Sequence, residues 1–301
     1  MSDSLVHTEP RELGPGLRVG PLGFGCWRLV AMSPAEARAR VEAALVAGMN
    51  LVDTADVYGL DWGGDGFGAA EALLGRVLAD APELRGRMVL ASKGGIRPPV
   101  PYDSSRESLV AACEASLGRL GVDCLDLYQI HRPDLYAHPA EVAGALDALR
   151  EAGKIREAGV SNHTPAQVEA LAAHLPFALA STQPEFSVAH LAPLRDGTFD
   201  QCMRMGLAAL AWSPLAGGRV VSGRDLSHEL TTTLDRIAER EGVDRAAVAT
   251  AFVLAHPAAP VALLGSMDVG RIRGAAAALS VRLDRADVYA LVQASEGEPL
   301  P

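Results

Sequence analysis

Four side chains that could together move a proton lie near the ends of apolar segments of the chain. Asp53, Lys93 and His131 each end a short apolar run, and Tyr58 follows Asp53 by five residues. A carboxylate, an amine, an imidazole and a phenol could serve proton transfer if the fold brings them together. Considered singly, each also fits an ordinary role: a helix cap, a surface cation, a hydrogen-bonded core histidine or a packed tyrosine with its hydroxyl in water.

Lysine is scarce in this chain. The sequence has 27 basic residues, and among them only Lys93 and Lys154 are lysines. Arginine stays charged under ordinary conditions, whereas a buried lysine can change its pKa. The lysine at position 93 therefore indicates that the amine itself is needed there, while Lys154 is expected to be a charge near a helix end.

The elements that would position these groups alternate between strand and helix. Most of the predicted strands are followed by an amphipathic stretch, the first of which begins with the capping pair Ser33 and Glu36. Strands that alternate with helices favour a parallel sheet, and eight such units in 301 residues favour a closed (β/α)8 TIM barrel of the α/β class. The predicted strands are residues 22–27, 49–53, 88–93, 125–131, 158–161, 178–183, 207–213 and 261–265.

The barrel is predicted as a single domain over residues 18–301, after an N-terminal tail of residues 1–17. The alternative is a doubly wound dinucleotide-binding sheet, which needs the pattern G-x-G-x-x-G after its first strand. Here the third glycine is missing, since Gly25 is followed by Cys26, Trp27 and Arg28. In a barrel, reactive groups lie where the strands end, at the C-terminal mouth, and three of the four groups named above are predicted there.

Composition excludes several classes of partner. The formal net charge of -10 argues against nucleic acid or an anionic membrane surface. No apolar run approaches membrane-spanning length and the N-terminus has no signal-peptide pattern, so a cytoplasmic protein is expected. The four cysteines lack CxxC spacing and the eight histidines lack ligand spacing, so no metal site is expected.

The pattern of Asp53, Tyr58, Lys93 and His131 resembles, in order, spacing and local sequence, the catalytic tetrad of the aldo-keto reductases. The resemblance covers roughly residues 22–279 and implies a barrel oxidoreductase that uses NADP(H) to reduce a small-molecule carbonyl compound. Its further matches are Gly159-Val160-Ser161-Asn162, Gln183 after Thr182, Trp212-Ser213-Pro214-Leu215, and Leu264-Gly265-Ser266 with Arg271.

The resemblance also implies which residues hold the nicotinamide cofactor. Ser266 and Arg271 would bind the 2′-phosphate of NADPH, a task that suits a guanidinium. Gly265 stands where some relatives have a lysine, and Ala275 where many have an asparagine, so NADP(H) is preferred and NAD(H) stays possible. Ser161, Asn162 and Gln183 would bind the carboxamide, and Trp212 would stack on the nicotinamide. The whole predicted cofactor set is Gly25, Cys26, Trp27, Asp53, Ser161, Asn162, Gln183, Trp212, Ser213, Pro214, Leu215, Gly217, Gly265, Ser266 and Arg271.

In the implied mechanism, Tyr58 protonates the oxygen of an aldehyde or ketone as its carbon accepts hydride. The pKa of a phenol is about 10 in water, and the Lys93 ammonium, kept charged by Asp53, is expected to lower it. His131 would orient the carbonyl group and stabilise the developing oxyanion. Substrate contacts are predicted from Trp27, Tyr58, His131, Arg132 and His163, around an open mouth that no long C-terminal loop closes.

Two other functions fit the same fold. One is a non-catalytic, nucleotide-sensing regulatory subunit, which the intact tetrad opposes. The other is a barrel aldolase in which Lys93 forms a Schiff base; that chemistry needs a depressed lysine pKa, which a neighbouring Asp53 opposes. The oligomeric state is left open.

Overall fold

Eight parallel strands form a closed barrel in the computed structural model, which describes residues 4–300. In chain order the strands are β1 (Arg11–Gly14), β2 (Leu17–Val19), β3 (Leu22–Gly25), β4 (Leu51–Asp53), β5 (Val89–Gly94), β6 (Ile96–Arg97), β7 (Val100–Tyr102), β8 (Leu125–Ile130), β9 (Ile155–Ser161), β10 (Ser181–Gln183), β11 (Ala208–Trp212) and β12 (Val261–Leu264). The barrel consists of β3, β4, β5 and β8 to β12, with β12 pairing back onto β3. Every predicted strand has its counterpart in this barrel, so the predicted fold class is confirmed.

Helices connect the strands, and their first turns are stabilised by the capping residues that the sequence supplies. Ser33 accepts a hydrogen bond from the backbone N–H of Glu36, whose carboxylate accepts one from the backbone N–H of Ser33. Thr164 and Gln167 form the same reciprocal cap. The helices are α1 (Pro34–Val46), α2 (Ala69–Asp80), α3 (Arg106–Leu120), α4 (Pro139–Glu151), α5 (Pro165–Ala172), α6 (Thr198–Met205), α7 (Arg219–Ser222), α8 (His228–Glu241), α9 (Arg245–Leu254), α10 (Val269–Gly274) and α11 (Arg285–Glu296). None of them, within residues 4–300, is both long and apolar enough to cross a membrane.

Strand alternation divides the core into two layers. Leu51, Val89 and Leu127 belong to a cluster inside the barrel, whereas Val52 and Leu90 belong to the larger cluster between the strands and the helices. The same alternation sends Lys93 inward and its neighbour Ser92 outward toward the helices. The face on which each polar side chain of a strand lies is therefore set by its position in the sequence.

A β-hairpin that was not predicted closes the end of the barrel opposite the mouth. It consists of β1 and β2, so the prediction of an N-terminal tail over residues 1–17 is wrong for residues 11–17; residues 1–3 of that tail lie outside the described range. Leu13, Leu17 and Val19 are buried against the inner barrel cluster, and the Asn50 side chain binds the hairpin backbone just before β4 begins. Strands of three or four residues around a Gly-Pro-Gly turn are too short for periodicity to distinguish them from a tail.

The second unpredicted hairpin, β6 and β7, directly follows β5 at the mouth. The other differences are at strand ends: β9 begins at Ile155 rather than 158, and β10 begins at Ser181 rather than 178. These differences leave the carboxyl ends of the strands, where the predicted site residues lie, almost unchanged.

Candidate active site

The Lys93 ammonium is the centre of the predicted tetrad. Its Nζ donates to Asp53 Oδ2 at 2.5 Å, to the Thr54 carbonyl oxygen at 2.9 Å and to the Tyr58 hydroxyl oxygen at 3.2 Å. The rings of Tyr58 and His131 meet edge to face, with their centroids 5.7 Å apart. The fold therefore brings the four predicted side chains together from β4, β5, the turn after β4 and the residue after β8.

Asp53 is buried, and every one of its carboxylate oxygens has a donor. Oδ2 accepts from Lys93, while Oδ1 accepts from the side-chain amides of Gln129 at 3.2 Å and Gln183 at 3.1 Å. These contacts compensate the cost of burying the charge. Gln129 was not among the predicted site residues; its position two residues before His131, on the same inward face of β8, is the signal that could have identified it.

The electrostatic environment keeps Lys93 charged. Burial works against the charge, yet Asp53 and Tyr58 together hold the pKa of Lys93 above its ordinary value. A charged amine is a poor Schiff-base nucleophile, because attack on a carbonyl requires the neutral form. This environment disfavours the aldolase alternative.

The pKa of Tyr58 departs from the expectation. Burial raises the pKa of this phenol more than the Lys93 ammonium lowers it, so the net direction is upward rather than downward. The sequence showed the cation but not the extent of burial, which only the packed barrel determines. Tyr58 is consequently a neutral phenol at physiological pH, with its proton available for transfer.

His131 is neutral for a similar reason. Burial, assisted by the positive charges of Lys93 and Arg132, lowers the pKa of His131 well below its ordinary value. Its Nδ1 atom has no hydrogen-bond partner within residues 4–300. A neutral imidazole has one N–H donor, which is what the orientation of a carbonyl oxygen requires.

The residues predicted to bind the nicotinamide, three at its carboxamide and Trp212 on its face, are connected by hydrogen bonds at the ends of β9, β10 and β11. Ser161 Oγ donates to the Gln183 carbonyl oxygen at 2.9 Å, and Trp212 Nε1 donates to Asn162 Oδ1 at 3.0 Å. Asn162 Nδ2 donates to the His131 carbonyl oxygen at 3.1 Å and to Ser161 Oγ at 3.0 Å. These bonds orient the polar groups at the mouth, although a bound carboxamide would have to replace some of them.

A cleft of about 1210 Å³ runs across the mouth of the barrel. Its walls include most of the predicted cofactor and substrate residues: Gly25, Trp27, Asp53, Tyr58, His131, Arg132, Ser161, Asn162, Gln183, Trp212, Ser213, Pro214, Leu215, Gly217, Gly265, Ser266 and Arg271. Residues from the β6–β7 hairpin and from α9 also line it, including Ile96, Pro98, Asp244 and Thr250, and were not predicted. Ile96 and Pro98 come from a segment with no strand signal, and Asp244 and Thr250 come from the N-cap and the body of α9, which packs against β12.

Two predicted binding residues are not part of these walls. Cys26 is fully buried, with its backbone N–H bonded to the Asp53 carbonyl oxygen. His163 turns its Nδ1 toward the Ser161 carbonyl oxygen, 2.9 Å away, and does not line the cleft. In both cases the local backbone turns the side chain away from the mouth, which sequence position did not reveal.

An aromatic contact bridges the loops at the rim of the cleft. The Trp27 and Trp62 rings lie 4.7 Å apart, and the Arg28 guanidinium lies 5.0 Å and 4.8 Å from their respective centroids. Trp27 Nε1 also donates to Asp61 Oδ1 at 3.4 Å. The loop after β4, which follows Tyr58, is thereby attached to the turn after β3.

Ser266 and Arg271 line the cleft after Gly265, whose carbonyl oxygen accepts from Arg28 Nη1 at 3.4 Å. The Asp268 carboxylate caps α10 by accepting from the backbone N–H of Arg271 at 2.8 Å, and its own backbone N–H donates to Ser266 Oγ at 3.3 Å. The Arg271 side chain is exposed and forms no ion pair with another residue of the described range 4–300. Its guanidinium is available to a ligand.

Comparison with known proteins agrees with this geometry. The sequence is 48% identical, over the full length of both chains, to the 6-dehydroglucose reductase of Novosphingobium aromaticivorans. It is 37% identical to the oxidoreductase YdhF of Escherichia coli, covering 92% of this chain and 94% of YdhF. The crystal structure of the thermostable aldo-keto reductase Tm1743 in complex with the inhibitor epalrestat superposes with a TM-score of 0.81 at 26% identity, covering 95% of this chain and 99% of that one.

The model of the aldo/keto reductase family matches residues 21–296, which include the whole barrel. Members of this family generally use nicotinamide cofactors. The extent of the match, together with the full-length similarity to a named reductase, establishes that this chain is an oxidoreductase of the aldo/keto reductase family.

Proposed function

We propose that this protein reduces an aldehyde or ketone to the corresponding alcohol, with Tyr58 as the proton donor. The contact between the Lys93 ammonium and both Asp53 and Tyr58 is the observation that carries the proposal. A hydride added to a carbonyl carbon leaves negative charge on the oxygen, and an acid beside that oxygen lowers the barrier. When bound, the nicotinamide supplies the hydride.

The residues of the chain supply the proton and hold the charge. Tyr58 gives its hydroxyl proton to the carbonyl oxygen, and the phenolate that remains is stabilised by Lys93 until it takes a proton from water. The raised pKa of Tyr58 is compatible with this role, because the alcohol that forms is a far weaker acid than a phenol and keeps the transferred proton. Neutral His131 donates one N–H to the same oxygen and orients it.

The cleft fits a dinucleotide. Its volume of about 1210 Å³ exceeds that of a site for a single drug-sized ligand, which is about 300–1,000 Å³. Ser161, Asn162, Gln183 and Trp212 would hold the nicotinamide end, and Ser266 and Arg271 the adenosine end. The exposed Arg271 guanidinium supports a preference for NADP(H), while Gly265 and Ala275 leave NAD(H) as a possible second cofactor.

The substrate that similarity favours is a polyhydroxylated aldehyde. Two relatives, from Novosphingobium aromaticivorans and Agrobacterium fabrum, are named 6-dehydroglucose reductase, at 48% and 35% identity. Trp27 and Arg132 line the cleft beside Tyr58 and His131 and would contact such a substrate. The Lys93 environment and the intact tetrad favour this reductase over an aldolase or a regulatory subunit.

The experiment that tests the proposal compares the wild type with Tyr58→Phe. Purified protein is given NADPH or NADH with 4-nitrobenzaldehyde and with 6-dehydroglucose, and oxidation of the cofactor is followed by absorbance. Loss of the proton donor should lower turnover by about 10²–10⁴-fold while cofactor affinity stays nearly constant. Tyr289→Phe, an exposed tyrosine on α11, is the matched control and should behave as the wild type. Equal turnover in wild type and Tyr58→Phe would refute the assignment.

A further inference from the structure

A second polar cluster lies behind the tetrad, on the helix-facing side of β5. Asp56 and Glu71 are both buried, with exposed fractions of 1% and 0%. Asp56 is in the turn that leads to Tyr58, and Glu71 is on α2. The proposed reaction uses neither carboxyl group, although two carboxylates in a desolvated space need an explanation.

The Arg119 guanidinium acts on both acids, but the acid that accepts its hydrogen bond is Glu71. Arg119 Nε, on α3, donates to Glu71 Oε2 at 2.7 Å, and Ser92 Oγ donates to Glu71 Oε1 at 2.5 Å. Asp56 Oδ1 has no hydrogen-bond partner within residues 4–300. The backbone N–H of Ala70, next to Glu71 on α2, donates to the Tyr58 carbonyl oxygen at 3.2 Å, so the turn that contains Asp56 packs against the helix start that carries Glu71. A buried carboxylate with an unpaired oxygen near a second carboxylate is strongly disfavoured, whereas the neutral acid avoids the repulsion.

The remaining titratable groups around Asp56 do not supply a free cation. Lys93 of β5 acts on it from the barrel side, but its ammonium is bound to Asp53 and Tyr58. Tyr128 of β8 is fully buried and its hydroxyl has no partner within residues 4–300. Burial first, and then Glu71, raises the pKa of Asp56 to about 8, against the opposing effects of Arg119, the Val57 backbone N–H and Lys93.

We propose that Asp56 carries a proton in the active enzyme and is a positioning residue for Tyr58, so that its ionisation lowers activity by displacing the Tyr58 turn. The protonation follows from the cluster alone, whereas the effect on turnover rests on the proposed function. In the active state the Asp56 carboxyl group is neutral, and at alkaline pH it releases its proton to water.

The backbone provides the connection from Asp56 to the reacting group. The Asp56 N–H donates to the Lys93 carbonyl oxygen at 3.1 Å, and the Tyr58 N–H donates to the Ala55 carbonyl oxygen at 3.2 Å. Asp56 therefore joins the turn that carries the phenol to the strand that carries the ammonium. A new negative charge facing Glu71 would push this turn outward and lengthen the contact between Lys93 and Tyr58.

The same ionisation has a consequence for stability. The folded-state pKa of Asp56 lies above that of an unfolded aspartate, so the unfolded state gives up this proton at lower pH. The contribution of protonated Asp56 to the free energy of unfolding is fully present below the pKa that Asp56 has in the unfolded chain. It is lost as the pH rises through about 8. Replacing Asp56 by a side chain that cannot ionise should therefore stabilise the protein most at alkaline pH.

The test uses Asp56→Asn, which resembles the protonated acid in shape and cannot ionise. Thermal unfolding and kcat are measured from about pH 6 to pH 9, with Asp80→Asn, an exposed aspartate on α2, as the matched control. Wild type and Asp80→Asn should lose turnover about tenfold between pH 7 and pH 9, as the protonated fraction falls. Asp56→Asn should retain its turnover over this range, and its Tm should exceed that of the wild type by more at pH 9 than at pH 6.

A second measurement keeps the proposal testable if Asp56→Asn fails to fold. Infrared spectra of the wild type should contain the carbonyl stretch of a protonated carboxylic acid at neutral pH, and this band should disappear as the pH rises through about 8. Absence of the band, or pH profiles of Tm that are parallel in wild type and Asp56→Asn, would overturn the protonation. A retained Tm difference with parallel kcat profiles would overturn the positioning role alone. If all carbonyl substrates fail while the Tm difference persists, the fault lies in the proposed function.

Discussion

Lys93 carries the interaction on which the proposed chemistry depends, since its ammonium lies within hydrogen-bond distance of both Asp53 and Tyr58. It is 0% exposed, whereas Lys154 is half-buried at the surface and pairs with Glu114. The chain thus uses arginine for its other surface cations and keeps one of its two lysines for a fully buried position. At the scale of single residues, the two lysines form a natural comparison.

Replacing each lysine by methionine separates the two roles. Lys93→Met should lower turnover by about 10²–10⁴-fold, because the phenolate left by proton transfer loses its cation. It should also cost about 3–5 kcal/mol of unfolding free energy, because Asp53 stays buried without its partner. Lys154→Met should change neither quantity appreciably. Kinetics at a temperature where circular dichroism shows both variants folded will decide, and undiminished turnover in Lys93→Met would contradict the mechanism.

Arg271 and Arg273 form a second matched pair, since both are exposed on α10. Only Arg271 lines the cleft. Arg271→Ala should raise the Kd of NADPH about 10- to 100-fold, because a hydrogen bond to a charged group contributes about 1.5–3 kcal/mol. The Kd of NADH should change little. Arg273→Ala should leave both unchanged. Fluorescence titration with the two cofactors measures this, and equal losses of affinity for both in Arg271→Ala would place the phosphate elsewhere.

At the scale of elements, the candidate active site is built from residues at the carboxyl ends of neighbouring strands. Asp53, Lys93 and His131 come from β4, β5 and the residue after β8, which are neighbours in the barrel as they are in the chain. The β1–β2 hairpin lies at the opposite end and contributes its apolar side chains to the inner cluster. Its expected role is to stabilise the barrel without contacting the reaction.

Leu13→Ala tests this division between stability and activity. Leu13 is 1% exposed, so truncation should lower the unfolding free energy by about 2–5 kcal/mol through lost burial and a cavity. Turnover per folded molecule should stay close to that of the wild type. The exposed neighbour Glu12 supplies the control, as Glu12→Ala should have little effect in urea unfolding. A large loss of kcat in folded Leu13→Ala would show that the hairpin acts on the site.

At the scale of the whole molecule, burial of ionisable groups links stability to pH. Burial lowers the pKa values of His7, His131, His163 and His256, the last to about 4. For a histidine whose folded-state pKa is depressed, protonation favours the unfolded chain. The stabilising contribution of neutral His256 is therefore present above the unfolded pKa of about 6.5 and is lost as the pH falls toward about 4.

His256→Gln should reduce the loss of stability that the protein undergoes as the pH falls. The His256 ring stacks on Phe199 with centroids 4.3 Å apart, so the variant should be less stable than the wild type at neutral pH. The difference should shrink as the pH falls from about 7 to about 4.5, because only the wild-type side chain takes up a proton on unfolding. Urea unfolding at both pH values measures it, with exposed His228→Gln as the control. A difference that is constant with pH would contradict the shifted pKa.

Much of the fold and of the tetrad was predictable because a parallel barrel converts order in the chain into adjacency in space. A polar residue at the end of each of several successive apolar runs must come to the same mouth, so Asp53, Lys93 and His131 could be placed together from their positions alone. The capping pairs fixed helix starts for the same local reason, since Ser33 and Glu36 interact within one turn.

Features that depend on distant parts of the chain had no such signal. The direction of the Tyr58 pKa and the protonation proposed for Asp56 both depend on how much solvent the packed barrel excludes and on side chains far away in sequence. The same holds for the Trp62 contact at the rim and for the two short hairpins. Local pattern specifies which strand ends meet, whereas burial and long-range contacts, which set pKa values and side-chain direction, exist only in the folded chain.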